Sequence, residues 1–379
     1  HYENYVPSPY GNVPPGDCVI FEFDSKVKEK TERMCESYKV ALRLGKVESG
    51  DGGVRETTTG HVQGTNKEHV FNLPLKTPAG SAERLSYVVK DAAKEFHLTM
   101  EEVRWEYAKG KFVHAWAYNG QVPGPEIRVT EGDKVRVVFK NNLPVATSVH
   151  WHGVHVENEA DGVPGLTQQP IKPRETFTYE FTAKNAGTHF YHAHGSSHTD
   201  AVVQMDMGLS GALIIEPRSR EDVRHPSNYN REYVLMLDEW AVTPEGLNMA
   251  LELVSETGEH AHNEGGAHNY NVFTINGRIF PDIEPLTIKE KEKILIRLIN
   301  AGTQEIHPMH IHGHAFKVIA IDGYSVPEAA RQIRDTLTVN PGERYDIEVV
   351  GNNPGLWLFH CHHVHHASGG MIVPFFYEG

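Results

Sequence analysis

The sequence predicts an all-β protein with two β-sandwich domains behind an N-terminal extension. From about residue 95 to the end, short stretches of alternating apolar residues are separated by turns rich in Gly, Pro and Asp. Four histidine pairs with a one-residue gap lie on strand-like segments, and the segments before them repeat once. A length of 379 residues leaves room for more than one domain.

The first 94 residues carry the weakest pattern. We predict that this extension packs on the domains or on a neighbouring subunit. A short strand is expected at 19–23, a helix at 26–38 and a loop at 45–64. Apolar residues between 81 and 96 recur at helical spacing, so a further helix is expected there.

The two β regions are assigned to 95–217 and 231–379, with a polar linker at 218–230. The segment AYNGQVPGPEIRVTEGDKVRVVFKN in the first region resembles TINGRIFPDIEPLTIKEKEKILIRLIN in the second, and each is followed by two histidine pairs. Two copies of one sandwich explain this repeat. The strands predicted outside the pairs are 96–107, 127–129, 135–139, 176–181, 212–215, 233–237, 273–277, 294–299, 316–321, 345–349 and 371–375.

The composition bounds the partners and the compartment. Asp and Glu (50) outnumber Lys and Arg (36), and the net charge of −14 disfavours nucleic acid or an anionic membrane as a partner. We expect no membrane span, because no apolar run is long enough. Among the three cysteines, Cys18 and Cys35 form either a disulfide, which would favour an oxidising compartment, or two reduced thiols.

Each histidine pair can present two imidazoles to one site. Side chains at i and i+2 of a strand share one face, about 7 Å apart. Cys361 lies inside one pair and points to the opposite face of its strand. Metals on the two faces would be joined by a few covalent bonds, which suits electron transfer. The pairs are His150–His152, His192–His194, His310–His312 and His360–His362.

A second set of candidate ligands surrounds Cys361. His366 and Met371 follow it, and His307 lies upstream. Two histidines with a cysteine thiolate and a distant thioether are the ligands of a blue-copper electron-transfer site. The eight paired histidines are enough to hold three further copper ions.

At these residues the chain resembles the multicopper oxidase family. The motifs are HWHG at 150–153, YHAHG at 191–195, HPMHIHGH at 307–314 and HCHHVHHASGGM at 360–371, and the resemblance covers roughly 105–379. Most laccases of this family have three cupredoxin domains, whereas this chain has room for two. It therefore looks like a two-domain laccase with cupredoxin-like Greek-key sandwiches. YHAHG has no cysteine, which leaves the first domain without blue copper.

The resemblance implies four coppers per chain: one type 1, one type 2 and a type 3 pair. It assigns the type 1 ligands to His307, Cys361 and His366, with Met371 axial. It assigns type 2 to His150 and His310. The type 3 ligands are then His152, His192, His194, His312, His360 and His362.

The resemblance also implies partners and assembly. Dioxygen and a small-molecule or metal-ion electron donor are the expected substrates, and Asp161 is expected to relay protons, the alternative being an ordinary turn residue. The trinuclear site is expected between subunits of a homotrimer, because a head-to-tail contact must close into a ring or run on as a filament. A periplasmic or extracellular location is expected.

Several alternatives stay open. The activity expected first is laccase-like oxidation of phenols or similar donors. The others are oxidation of Cu(I), Fe(II) or Mn(II), which an acidic rim near the type 1 histidines would support, nitrite reduction, and copper binding without turnover. His260, His262 and His268 lie in a polar loop that is either ordinary or an auxiliary metal site.

Overall fold

A computed structural model describes residues 72–76, 82–195, 198–219, 228–250 and 270–378. Several predictions fall outside these residues. They concern 19–23, 26–38 and 45–64, the pairing of Cys18 with Cys35, and the loop with His260, His262 and His268.

Ten strands and one helix form the first sandwich. One sheet has the order β1-β3-β6-β8, with β2 and β4 also paired to β3, and the other has the order β5-β10-β9-β7. Helix α1 (His198–Asp206) connects β9 to β10. The strands are β1 Leu75–Lys76, β2 Val88–Lys90, β3 Ala93–Ala108, β4 Lys111–Tyr118, β5 Gly124–Thr130, β6 Lys134–Asn141, β7 Val149–His152, β8 Thr176–Thr182, β9 Gly187–Ala193 and β10 Ser210–Glu216.

Twelve strands and a short helix form the second sandwich. One sheet has the order β12-β11-β14-β20-β16-β17, with β18 on β16, and the other has the order β13-β22-β21-β15-β19. Helix α2 (Val364–Ser368) follows β21. The strands are β11 Arg231–Trp240, β12 Val272–Ile275, β13 Leu286–Ile288, β14 Lys293–Asn300, β15 His307–Ile311, β16 Phe316–Ile321, β17 Tyr324–Ser325, β18 Ile333–Arg334, β19 Thr336–Val339, β20 Arg344–Val350, β21 Leu356–Cys361 and β22 Ile372–Tyr377.

The two sandwiches share one topology, as the sequence repeat predicted. In the first, β3 pairs with β4 antiparallel and with β6 parallel, and β10 joins β5 in parallel. In the second, β11 pairs in the same way with β12 and β14, and β22 joins β13 in parallel. The all-β, two-sandwich prediction is therefore confirmed, and β16 to β19 are an addition in the second copy.

The helix predicted between 81 and 96 is wrong. These residues contain β2 and the start of β3, which pair antiparallel around Asp91 and Ala92. Both turn residues have left-handed φ values, 51° and 61°, which an α-helix cannot contain. Val88 and Val89 are 58% and 73% exposed, so their apolar spacing does not mark a buried helical face. β1 and β2 both pair with β3, so this part of the predicted extension adds to the first sandwich.

The contact between the sandwiches is close and includes a buried apolar cluster. Trp105 of β3 and Trp240 of β11 both belong to this cluster, and Trp105 Nε1 donates to the Gly277 carbonyl at 2.7 Å. Gly187, at the start of β9, meets Gly323 of the β16–β17 turn so closely that an added Cβ would lie 2.5 Å from its Cα. No side chain fits between these two backbones.

The described residues contain no helix with the length and apolar character needed to cross a membrane.

Candidate metal centres

Three candidate ligands meet in the core of the second sandwich. The Nδ1 atoms of His307 and His366 lie 4.0 and 3.5 Å from Cys361 Sγ, and 3.2 Å from each other. All three residues are buried. Nitrogen and sulfur ligands about 2.0 and 2.3 Å from one ion stand roughly 3–4 Å apart. The donor set and its spacing therefore fit copper.

Two strands and a helix bring this trio together. β15 begins with His307, β21 ends with Cys361, and Met309 of β15 lies directly opposite Cys361. Helix α2 then supplies His366. The Cys361 N–H donates to the carbonyl of the fully buried Met371 at 3.1 Å, so the predicted axial residue adjoins the cysteine.

The outer nitrogen of each imidazole in this trio faces a carboxylate. His307 Nε2 lies 3.3 Å from Glu239 Oε2, with both side chains fully buried. His366 Nε2 lies 3.4 Å from Oε2 of the partly exposed Glu305. An Nε2–H that donates to a carboxylate leaves the Nδ1 lone pair for a metal. Neither acid was predicted from the sequence, although an acid within the apolar strand β11 was a signal for Glu239.

Burial sets the protonation of these ligands. It lowers the pKa of His366 to about 3, and the neighbouring His307 and His363 add to the effect. The imidazole is therefore neutral at physiological pH and available as a ligand. Burial raises the pKa of the Cys361 thiol to about 12. A metal that binds the thiolate must therefore displace a proton from this cysteine.

The first sandwich gathers the four imidazoles of its two pairs. Ligand atoms of His150, His152 and His192 lie within 4.8 Å of one another. The fourth ring, His194, lies 6.2 Å from His150, measured between ring centroids. His150 is directly opposite His192 on the neighbouring strand, and this register brings the two pairs together.

The second sandwich gathers the other four in the same register. His310 is directly opposite His360. The His310 ring centroid lies 5.0 Å from that of His312 and 5.6 Å from that of His362. His312 Nε2 lies 2.9 Å from His360 Nε2. This group lies on the face of β21 opposite to the buried Cys361, as the alternation of side chains predicted.

Backbone carbonyls orient four of the eight imidazoles through Nδ1. His192 and His360 each donate to the carbonyl of the following residue, at 2.9 and 2.8 Å. His150 donates to the Asp161 carbonyl at 2.8 Å, and His310 donates to the Asp335 carbonyl at 2.9 Å. Since a neutral imidazole has one N–H, each of these rings keeps an Nε2 lone pair for a metal.

Burial also favours the neutral form of four of the paired imidazoles. It lowers the pKa of His152 to about 2, with His192 and Arg344 contributing, and the pKa of His192 to about 3. It lowers the pKa of His312 and of His360 as well. Several neutral imidazoles side by side bind transition metals well.

Asp161 touches this site through both its backbone and its side chain. Its carbonyl orients His150, and its Oδ1 lies 3.4 Å from His150 Nδ1. The side chain is 33% exposed, so it has access to solvent.

The two groups of four imidazoles remain separate. Within the described part of a single chain, no ring contact joins an imidazole of the first sandwich to one of the second.

Known proteins are similar to this chain in sequence and in fold. Residues 99–220 and 254–378 match two models of the multicopper oxidase family. The blue copper oxidase of Nitrosomonas europaea is 33% identical, with a TM-score of 0.65 over 75% of this chain and 85% of that chain. The multicopper oxidase mco of Staphylococcus aureus is 26% identical over 74% of this chain and 87% of its own length.

A plant relative is similar over part of its length. Laccase-6 of Oryza sativa subsp. japonica is 33% identical over 68% of this chain, but the match spans only 43% of the rice protein. Taken with the matched family models, the fold and these relatives define a copper-dependent oxidoreductase. The chain belongs to the multicopper oxidase family and is laccase-like in function.

Proposed function

We propose that the protein couples one-electron oxidation of phenolic or similar donors to the four-electron reduction of dioxygen to water. One observation carries the proposal. Cys361 faces the core with His307 and His366, whereas its neighbours His360 and His362 lie on the other face of β21. A single strand thus contributes to both ligand groups. Copper, when bound, supplies the one-electron redox chemistry.

The proposed assignment gives the type 1 copper to the ligands around Cys361 and the other coppers to the paired histidines. Type 1 copper takes His307, Cys361 and His366, with Met371 axial. Type 2 takes His150 and His310, and the type 3 pair takes His152, His192, His194, His312, His360 and His362. This gives four coppers per chain. The neutral, oriented imidazoles support the assignment, because they need little reorganisation to bind.

The trinuclear site is proposed to form between subunits of a homotrimer. Each sandwich presents four imidazoles, and a complete site needs both groups. If the first sandwich of one copy meets the second sandwich of the next, the contact is head-to-tail and closes as a ring. Light scattering of the copper-loaded protein should give the mass of three chains. A copper-loaded monomer that consumes oxygen would exclude this assembly.

Asp161 is proposed to deliver protons for dioxygen reduction. Its carboxylate has solvent access and lies beside His150. Dioxygen reduction consumes protons and requires a proton donor next to the site. A first domain that ends at 217, the linker 218–230, a second domain at 231–379 and a periplasmic or extracellular location are also proposed.

Oxidation of a metal-ion donor is a second candidate, and Glu305 favours it. This carboxylate is 36% exposed and lies against His366, so a cation that approaches the type 1 site meets a negative charge. Oxygen uptake across phenols, Cu(I), Fe(II) and nitrite separates the candidates. Turnover with phenols supports the first proposal, and turnover with metal ions alone supports the second. Nitrite reduction, or copper binding without turnover, overturns both.

Cys361→Ser tests the type 1 assignment directly. The wild-type protein should show the intense blue absorption of a copper thiolate, and the variant should lose it because serine offers no thiolate. The variant should keep about three coppers per chain if the eight imidazoles bind independently. A blue Cys361→Ser protein would refute the assignment.

A further inference from the structure

A buried carboxylate of the first sandwich reaches toward the type 1 site. Asp206, the last residue of α1, is 2% exposed. Its Oδ1 accepts a hydrogen bond from Thr303 Oγ1 at 2.7 Å, and its Oδ2 accepts one from Tyr270 OH at 2.9 Å. Asn248 Nδ2 also donates to its backbone carbonyl at 2.8 Å. These three hydrogen bonds therefore hold Asp206 in one position.

Thr303 also begins a loop whose backbone forms hydrogen bonds to Glu239. The backbone N–H groups of Thr303, Gln304 and Glu305 each donate to Glu239 Oε1 at 3.1 Å. Gly302 packs on this carboxylate, since an added Cβ would lie 2.0 Å from Glu239 Oε2. The loop therefore fixes Oε1 and leaves Oε2 directed elsewhere.

The second carboxylate oxygen of Glu239 connects this loop to His307. Its Oε2 lies 3.3 Å from Nε2 of His307, and neither side chain is exposed. A continuous path thus runs from Asp206 through the Thr303 hydroxyl and backbone to Glu239 and then to His307. It crosses from the first sandwich to the second, and none of its members before His307 is a candidate ligand.

We propose that Asp206 is a positioning residue for the type 1 centre: by fixing Thr303 and the loop around Glu239, it sets the orientation of His307 and the reduction potential of the centre. The proposal rests on the assignment of His307, Cys361 and His366 as the type 1 ligands. It adds a contribution of the first sandwich to a centre built by the second.

The direction of the effect follows from the hydrogen bond to His307. A carboxylate that accepts the Nε2–H makes the imidazole a stronger electron donor, which favours the oxidised form of a bound metal. If the loop moves, Glu239 and His307 lose their alignment and the oxidised form loses this support. The reduced form should then be favoured, and the potential should rise.

Redox titration of the blue absorption in the full-length, copper-loaded protein tests the proposal. In Thr303→Val and in Asp206→Ala, the ratio of reduced to oxidised centre at a fixed potential should rise about tenfold, which is about 59 mV for one electron. Thr303→Ser keeps the hydroxyl, and Asp206→Asn keeps an acceptor oxygen. Both should stay near the wild-type potential.

A matched control separates positioning from general loss of packing. Thr188→Val also removes a buried hydroxyl that donates to an aspartate, Asp346, across the sandwich boundary. It should leave the potential unchanged. Wild-type potentials in both Thr303→Val and Asp206→Ala would overturn the proposal, and so would a rise in Asp206→Asn equal to that in Asp206→Ala. If Asp206→Ala fails to fold, Thr303→Val against Thr303→Ser decides.

A different result would refute the assignment of the type 1 ligands. A wild-type protein without a blue absorption that depends on Cys361 would refute the type 1 site itself. A blue wild type with unchanged potentials in both Thr303→Val and Asp206→Ala would refute only the role of Asp206.

Discussion

His310 lies directly opposite His360 on the adjacent antiparallel strand, and His150 occupies the same position relative to His192. In this register the second histidine of each pair falls at a diagonal position, still within reach of the opposite pair. A shift of one strand by one residue would turn its histidine pair to the other face of the sheet, away from the opposite pair. Strand register is therefore what assembles each group of four imidazoles.

Loss of one imidazole of the first sandwich should impair the proposed trinuclear centre and leave the type 1 centre intact. In His152→Ala, oxygen consumption should fall by about 100-fold or more, because a ligand position is empty. The blue absorption should persist, since His307, Cys361 and His366 are untouched. Oxygen-electrode rates and absorption spectra measure the two effects. His97→Ala, a change at an exposed histidine, is the control and should alter neither. Joint loss of colour and rate in His152→Ala would contradict the separation.

Asp161→Asn should affect oxygen reduction more than donor oxidation. The substitution keeps the backbone contact to His150 and removes only the ionisable carboxyl. Loss of a general acid slows a step by about 10²–10⁴-fold. Single-turnover reoxidation and reduction, followed separately, measure the split. Glu159→Gln removes an exposed acid from the same turn and should leave both rates unchanged. Equal rates in Asp161→Asn and Glu159→Gln would remove Asp161 from the relay.

Gly162→Ala should destabilise the protein more than Gly165→Ala. Both glycines have left-handed φ values, +85° and +78°. An alanine there costs about 1–2 kcal/mol from backbone strain alone. A Cβ at Gly162 would also lie 1.8 Å from the Val149 carbonyl oxygen, whereas one at Gly165 meets nothing within 4 Å.

The clash should add about 1–3 kcal/mol to the loss in free energy of unfolding for Gly162→Ala. Urea unfolding of both variants measures the difference. Since Gly162 follows Asp161 and packs on the strand of His150, this variant should also bind less copper. Equal stabilities would show that the loop moves away from β7 at little cost.

Glu232 should make stability depend on pH in the acid range. Burial opposes its ionisation, but Arg297 and Arg128 outweigh burial and lower its pKa to about 2. The native state therefore binds fewer protons than the unfolded chain between this value and the ordinary pKa of about 4.5. The resulting stabilisation is present above about pH 4.5 and is lost as the pH falls toward 2.

Glu232→Gln should therefore be less stable than wild type at neutral pH, by on the order of 2–3 kcal/mol. The difference should shrink as the pH falls below about 4.5. Urea unfolding of the copper-free protein at several pH values measures it. Glu328→Gln removes an acid whose side chain is 69% exposed and should show a much weaker dependence. A gap that stays constant with pH would contradict this role for Glu232.

The sequence predicted most strands, the shared face of each histidine pair and the opposite face of Cys361. These follow from local alternation, as in β16, where the predicted and observed bounds agree. The failure between 81 and 96 also has a local cause. The short strand β2 and the first residues of the long strand β3, joined by a tight turn, imitate helical spacing, because the reversal at Asp91 and Ala92 changes the apolar period.

The groups around the type 1 site could not be predicted in this way. Glu239 and His307 are 68 residues apart, and Asp206 and Thr303 are 97 apart. The contact of Glu239 with His307 arises from the fold of the second sandwich, and that of Asp206 with Thr303 arises only when the two sandwiches pack together. No motif spacing records either one. The ion pair of Glu232 with Arg128 also joins the two sandwiches, whereas that with Arg297 lies within the second.

The backbone contact of Gly187 with Gly323 limits how the two sandwiches of one chain can move relative to each other. Gly187 begins the strand that ends beside His192, and Gly323 lies in the second sandwich. Because the two backbones touch directly, the sandwiches cannot slide past each other there without a collision. A motion of the two sandwiches at this point therefore meets backbone atoms rather than a side chain that can change rotamer. If the trinuclear site forms between subunits, as proposed, dilution that separates them should reduce specific activity.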